Sequence, residues 1–335
     1  MNYLLYTLKN FYIRDKMVLL APVLILVYNR KKHLYNCIES LKQCRLADKT
    51  DLFIASDAGK TTDDQIIIQD IREYCATIKG FNKVEIISYE KNLGVEKAYN
   101  NAVDYILSKY DRFIFSEDDN IFSPNFLEYI NDGLECYKND KQVFAICGYC
   151  PPIKLKKYTY DIIKHITCCV WGIGFWKEKY NKVDFFMNNY QQQIYKYIKK
   201  DLIKKLSFPV FYEIERCIKE KKATGDVAMS YHCYINNMYN IYPKLSLVRN
   251  MGFDGSGLHM KENQGFDEQH IHDGFYKIQF INPPPENNYY IDKQFIKFII
   301  APFLTNFEVM IRQFKCWLYQ FDFIRNFWNI IKRKK

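Results

Sequence analysis

The sequence predicts an α/β fold whose central sheet is mostly parallel and flanked by helices. Three observations carry that expectation. Short β-branched runs alternate with longer stretches of helical periodicity between Val23 and Glu117, the pattern of βαβ units. The runs are apolar at consecutive positions, as in strands buried on both faces. Several end on a polar cluster, and sheets of this kind bind ligands at the carboxyl ends of their strands.

Residues 1–18 read as an aromatic and basic lead-in. Val23-Leu24-Ile25-Leu26-Val27 is the first strand, ended by Asn29-Arg30, and His33–Cys44 is helical in period. Asp51–Ala55 is the second strand, stopped by Ser56-Asp57-Ala58-Gly59, with a helix over Asp64–Ile78 behind it. Val84–Ser88 is the third, followed by the loop Lys91-Asn92-Leu93-Gly94 and a helix over Val95–Ser108. The fourth, Arg112–Ser116, runs directly into Glu117-Asp118-Asp119. Three polar clusters, at Asn29-Arg30, Ser56-Asp57 and Glu117–Asp119, are thereby expected to converge on one crevice. From Pro124 to Pro285 the alternation weakens into mixed α+β with long loops. After Pro283-Pro284-Pro285, Thr305-Asn306-Phe307-Glu308 fits a capping box and opens a helical stripe.

Composition narrows the class. The chain has 335 residues, 48% of them apolar, enough for one large core. Its aromatic share of 17% reflects a general Tyr and Phe richness, so single aromatics are discounted as signals. Eleven cysteines without a framework spacing point to reduced thiols rather than a disulfide scaffold. Cys147-Gly148-Tyr149-Cys150 follows an apolar run instead of opening a helix, which argues against a redox site. No phosphate-loop or dinucleotide fingerprint occurs, so ATPase and dehydrogenase readings lose their support. The apolar run Val18–Tyr28 is too short to span a bilayer and contains Pro22. The reading is of a cytoplasmic chain.

Glu117-Asp118-Asp119 carries the chemistry. Adjacent carboxylates at the end of an apolar strand repel one another, and a divalent cation relieves them. One or two carboxylates with diphosphate oxygens and water is how Mg²⁺ or Mn²⁺ is held in nucleotide-using enzymes. Extended geometry would turn Glu117 and Asp119 one way and Asp118 the other. The alternative is a solvated acidic turn.

The ordered set Val27-Tyr28-Asn29-Arg30, Ser56-Asp57-Ala58-Gly59, Lys91-Asn92-Leu93-Gly94 and Ser116-Glu117-Asp118-Asp119 resembles GT-A glycosyltransferases. It is most similar to bacterial family-2-type sugar transferases of surface polysaccharide assembly, and distantly to N-acetylglucosaminyltransferase I. The likeness continues through Trp171-Gly172-Ile173-Gly174-Phe175-Trp176, Tyr242-Pro243 and Gly252–His259, covering about residues 20–260. It implies a GT-A, Rossmann-like catalytic domain over 19–285, with a nucleotide-binding half at 19–122 and an acceptor half at 123–285. It implies a hexosyl- or N-acetylhexosaminyltransferase using Mn²⁺ or Mg²⁺ and a nucleotide sugar, UDP-linked by family likeness, with inversion. Asn29, Arg30 and Asp57 take nucleotide-binding roles, Asp57 accepting hydrogen bonds from the base. Asn92 and Gly94 line the donor loop, and Glu117 and Asp118 face the donor. Asp119 is the metal ligand, joined by His259 beyond a glycine-rich turn. Asp226 matches the catalytic base, although Val227-Ala228 stands where the family commonly has Trp, and a plain helix cap is the competing role. Glu215 and Asp184 are weaker candidates. Trp171 and Trp176 are the acceptor-binding pair, with buried packing as the alternative.

Residues 286–335 form a basic aromatic helical extension. Residues 291–335 carry nine Lys/Arg against three Asp/Glu, a large part of the formal net charge of +10. Phe307, Met310, Ile311, Phe314, Leu318, Phe321, Trp328 and Ile331 recur at helical spacing ahead of Lys332–Lys335. Segment 307–335 suits an anionic leaflet, placing the enzyme peripherally on the inner face of the cytoplasmic membrane beside a saccharide or lipid-linked saccharide acceptor. Packing on the catalytic domain is the other account of the stripe. No nucleic-acid motif accompanies the charge, so no nucleic-acid partner is expected. Two rival functions remain: a sugar-nucleotide nucleotidyltransferase, and a degenerate transferase serving as a membrane-surface assembly factor.

Overall fold

A computed structural model describes residues 20–155, 158–188, 213–214, 216–218, 220–221, 225–256, 268–286 and 291–295. The four expected strands form as β1 (Val23–Val27), β2 (Asp51–Ser56), β3 (Lys83–Ser88) and β4 (Arg112–Glu117). Between them lie α1 (Lys31–Lys42), α2 (Thr62–Thr77) and α3 (Val95–Leu107). Each boundary falls within a few residues of the expected one. Helix α2 starts where Thr61 caps it, its hydroxyl accepting from the Asp64 amide at 3.1 Å.

Successive residues of a strand face opposite layers, and β1 shows why this segment is central. Leu24 packs in one layer with Phe53, Ala55, Phe113 and Phe115. Val23, Ile25 and Val27 pack in the other with Leu52, Ile54 and Ile114. The second layer holds Leu34, Cys37, Ile38 and Leu41 of α1 and Ile71 and Cys75 of α2. Helix α3 covers the first layer through Ala102, Val103, Ile106 and Leu107. Each fully buried Leu or Ile contributes roughly 1.5–3 kcal/mol, so an all-apolar strand is most stable between two helical layers.

The sheet has eight strands in the order β3-β2-β1-β4-β8-β6-β9-β7. The later members are β6 (Val143–Cys147), β7 (Ile162–His165), β8 (Ile173–Trp176) and β9 (Tyr239–Pro243). Pairs β1–β2, β1–β4, β2–β3 and β6–β9 are parallel, whereas β8 runs antiparallel to both neighbours and β7 to β9. The parallel character therefore dominates the first half of the sheet, and the second half is mixed. Helix α4 (Phe126–Cys136) joins the α1 layer, α5 (Lys177–Tyr180) caps β8, and α6 (Gly225–Ile235) joins the α3 layer. A separate two-stranded ribbon pairs β5 (Asn120–Phe122) with β10 (Val248–Asn250) antiparallel.

The order matters for function. Helices α1 and α2 lie on one face and α3 on the other, so the direction of winding reverses between β1 and β4. The chain enters β4 from the α3 face, whereas the segments leaving β1 and β4 both turn to the α1 face, where Phe122 of the segment after β4 bonds Ser40 of α1. The carboxyl ends of these two adjacent strands are the topological switch point at which α/β sheets bind ligands. Asn29-Arg30 and Glu117–Asp119 stand on its two sides.

No disulfide joins the ten cysteines among the described residues, and Cys147 and Cys150 are buried at the end of β6. Beyond the triple proline, Ile291 and Phe295 return to the core, Phe295 stacking on His165 at 4.5 Å. No helix among the described residues is long and apolar enough to cross a membrane. The lead-in 1–18, His259, Glu215 and the stripe at 307–331 lie outside the described residues.

Candidate functional site

The chain turns at Asp118 and Asp119 before entering β5. This corrects the expected alternation of the three acids: Asp118 and Asp119 both turn toward Arg30. Nη2 and Nε of Arg30 donate to Asp118, the latter at 3.4 Å, and Nη1 meets Asp119 Oδ2 at 2.8 Å. Asp118 is 2% and Asp119 6% exposed. Burial pushes the Asp118 carboxyl up to about 6, with Arg30 opposing. Glu117, the last residue of β4, is pushed up to about 8, first by burial and then by the charges of Asp119 and Asp118.

Asp119 is oriented by the ribbon. Register Asn250↔Asn120 brings the Asn250 amide to Asp119 Oδ1 at 2.9 Å, while Met251 N–H donates to the Asp119 carbonyl at 2.8 Å. Gly252 backs this arrangement: a Cβ there would lie 2.3 Å from Asp119 Oδ2. The turn that follows is tied to α1, Asp254 Oδ2 lying 2.9 Å from Nε2 of His33. Sequence reasoning missed Asn250, which lies 131 positions from Asp119 and carries no local signature.

Asp57 is also placed differently from the expectation. Its carboxylate is 4% exposed and already accepts from Ala58 N–H, Leu93 N–H and Gly94 N–H, each at 2.9 Å, and from the Asn92 amide at 3.1 Å. A carboxylate offers about four lone-pair sites, so this one is spent on loop 91–94 and has none to spare for a base. Asn92 donates as well to the Ala58 carbonyl at 2.7 Å. Gly94 sits at φ +77, where a side chain would strain the backbone, and its Cβ direction opens on free space. Asn29 turns away from the acids, its amide donating to Asp64 at 2.9 Å, where the Tyr28 hydroxyl also donates at 3.0 Å.

Arg72 is a second residue that sequence reasoning missed. Its Nη2 donates to the carbonyls of Ser56 (3.0 Å), Asp57 (3.3 Å) and Tyr89 (2.9 Å), tying the ends of β2 and β3 together. A signal existed: Ile68, Ile71, Arg72 and Cys75 share one helix face, and a cation on an apolar face demands partners.

Asp226 lies in the first turn of α6, its Oδ1 accepting from Val227 N–H at 2.9 Å. Burial raises its carboxyl above the usual range. Its charge reaches Glu117, and both acids raise the Cys169 thiol, so the three groups share one neighbourhood. Trp171 stands half-buried before β8, edge-on to Tyr149 at 4.7 Å and to Phe253 at 6.0 Å. Trp176 does not join it. Register Arg112↔Trp176 puts Trp176 at the start of β4, the far end from Glu117, and its buried indole donates to the Leu134 carbonyl at 3.2 Å. The expected acceptor-binding role for Trp176 is therefore replaced by a packing one.

Among the described residues no group of three or more His, Cys, Asp or Glu side chains is arranged to hold a metal unaided. The oxygens of Asp118 and Asp119 are hard donors that suit Mg²⁺ or Mn²⁺ when phosphate oxygens and water complete the shell.

Residues 23–206, more than half of the chain, match the family model "Glycosyl transferase family 2". The chain belongs to that family. The helix-flanked central sheet expected from the sequence is present, parallel in its first half. No curated protein sequence matches it. Among solved structures it is similar to a mannosyltransferase, PcManGT from Pyrobaculum calidifontis in complex with GDP-Man and Mn²⁺, at 12% identity over 52% of each chain with a TM-score of 0.32. It is similar to TarS of S. aureus at 12% identity, over 70% of this chain and 37% of TarS, with a TM-score of 0.40. GalNAc-T7 with UDP, GalNAc and Mn²⁺ aligns at 11% identity over 68% of this chain and 43% of that one, with a TM-score of 0.44. The chain thus spans about half or less of the length of these proteins. Within the family-2 match lie Arg30, Asp57, Arg72 and all three acids, whereas Asp226 and Asn250 lie beyond it.

Proposed function

We propose that this family-2 enzyme transfers a sugar from a nucleoside diphosphate sugar to a saccharide or lipid-linked saccharide acceptor, by direct displacement with inversion. The observation that carries the reading is the burial of Asp118 and Asp119, with Glu117 beside them, at the switch-point crevice. Acids so placed need positive charge, and a donor diphosphate needs it too. Asp119, with Asp118 beside it, would hold Mn²⁺ or Mg²⁺, which when bound offsets charge on the departing diphosphate. Arg30 and the Asn92–Gly94 loop border the donor, with Asp57 and Arg72 holding that loop in place.

Asp226 serves as the base for the acceptor hydroxyl. A carboxyl raised toward neutrality by burial is a stronger base than an exposed one, provided it is ionised when the acceptor arrives. Trp171 offers an apolar edge to the acceptor sugar. In this reading 19–122 carries the donor contacts and 123–285 the acceptor contacts, a UDP-sugar is the expected donor, and surface polysaccharide assembly is the setting. Segment 307–335 would hold the enzyme against an anionic membrane.

The test is nucleoside diphosphate release from a panel of UDP-, GDP- and TDP-sugars, with Mn²⁺, Mg²⁺ or EDTA, in wild type and Asp119→Ala. Metal-dependent release from one donor, lost in Asp119→Ala, is expected. Release that survives both EDTA and Asp119→Ala would sink the metal-dependent reading.

A further inference from the structure

Arg30 occupies the position that the proposed chemistry assigns to a cation. Its guanidinium lies between two buried carboxylates, donating twice to Asp118 and pairing with Asp119 Oδ2 at 2.8 Å. The other oxygen of Asp119, Oδ1, accepts from the Asn250 amide at 2.9 Å. Asn250 is itself locked, 3% exposed, with its second amide contact on Asn120 and its oxygen accepting from Gly252 N–H at 2.9 Å. Gly252, lacking a side chain, makes the space that Asp119 Oδ2 occupies. Each oxygen of Asp119 thus has a partner, and the one on Oδ2 is the charged Arg30.

We propose that Arg30 is the resident counter-cation of this cluster, and that it must swing off Asp119 before that carboxylate is offered to a divalent cation. The inference rests on the reading of Asp119 as the metal ligand. A guanidinium and a dication repel, so the two compete for the same carboxylate. Arg30 has somewhere to go. It stands at the start of α1 beside the crevice and is partly exposed, and a diphosphate there would draw it in as a bidentate partner. Displacement of Arg30 would thereby couple the two binding events. The cation alone competes with a side chain, whereas the cation with diphosphate releases that side chain to a second anion. Coupling of this sort is reciprocal, so the nucleotide also binds more tightly with the cation present.

The experiment titrates Mn²⁺ by its electron paramagnetic resonance signal into the full-length chain, with and without UDP or GDP, and follows thermal unfolding in parallel. Wild type, Arg30→Met and Arg30→Lys are compared. Arg30→Met should bind Mn²⁺ alone about tenfold or more tightly than wild type, within the usual range of coupling between sites. Its metal-free unfolding temperature should fall, because two buried acids lose their partner, and Mn²⁺ should raise it more than it raises wild type. Arg30→Lys keeps the charge but cannot fork across both acids, so it should gain Mn²⁺ affinity in the same direction and by less. That variant decides the matter where Arg30→Met does not fold. Wild type binding Mn²⁺ with nucleotide, while neither variant binds Mn²⁺ alone more tightly than wild type does, overturns the proposal and leaves Arg30 a fixed ion pair. Absence of Mn²⁺ binding to any variant, with or without nucleotide, overturns the metal site and the proposal together.

Discussion

Truncating Asp57 to alanine separates two ways in which this residue could serve the donor. In the structure its carboxylate accepts from the Ala58, Leu93 and Gly94 amides and the Asn92 side chain. Hydrogen bonds to a charged group contribute about 1.5–3 kcal/mol each when buried. Leu93 and Gly94 are only partly buried, so water recovers part of that loss once the loop opens. The expected destabilisation is therefore about 2–4 kcal/mol rather than the full sum of the bonds. Urea unfolding measures it, and amide hydrogen exchange locates it: protection at Leu93 and Gly94 should vanish while that of β1 stays. Donor affinity should fall as a consequence of the loosened loop, and Asp57→Asn should fall between, since its amide group turns a donor toward donors. The reasoning fails if Asp57→Ala unfolds like wild type and keeps protection at 93–94 yet loses nucleotide binding. That result would return Asp57 to direct contact with the base.

Two further outcomes follow from the same geometry. Glu117 keeps its proton to about 8 in the folded chain against an ordinary 4.5, so the folded state binds more protons than the unfolded one between those values and its stability falls as pH rises through that window. Metal-free wild type should accordingly lose unfolding temperature relative to Glu117→Gln between about pH 5 and about pH 8; a constant difference across that range would contradict the burial argument. Trp176→Phe removes the indole bond to Leu134 and the contact with Lys179 and should destabilise the fold by about 1–3 kcal/mol. Its KM for a saccharide acceptor should not change, and a raised acceptor KM with unaltered stability would restore Trp176 to the binding surface.

The strands, the helices between them and the acidic cluster were all legible in the residues, because each depends on a local property. A run such as Val23–Val27 is apolar on both faces wherever it is placed, and Ile68, Ile71 and Cys75 fall on one side of any helix. Partnership is a different kind of property. The Trp171–Trp176 motif looked like a pair, but a strand advances about 3.3 Å per residue. Since β8 runs antiparallel to β4, with Phe115 opposite Ile173 and Arg112 opposite Trp176, the motif's first tryptophan lies toward the Glu117 end of β4 and its last at the other end of that strand. Asp57 looked free for a base until loop 91–94 was seen to take its oxygens.

The sequence by itself determined the α/β class, the order of its first elements and the carboxylates that demand a cation. The tertiary structure decided which groups meet those carboxylates, Arg30 across the switch point and Asn250 through the β5–β10 ribbon, and it set Arg72 on the carbonyls at the ends of β2 and β3. Periodicity along a chain records which face a residue presents. Strand order and direction decide what that face meets, and they are set by packing among segments more than a hundred residues apart.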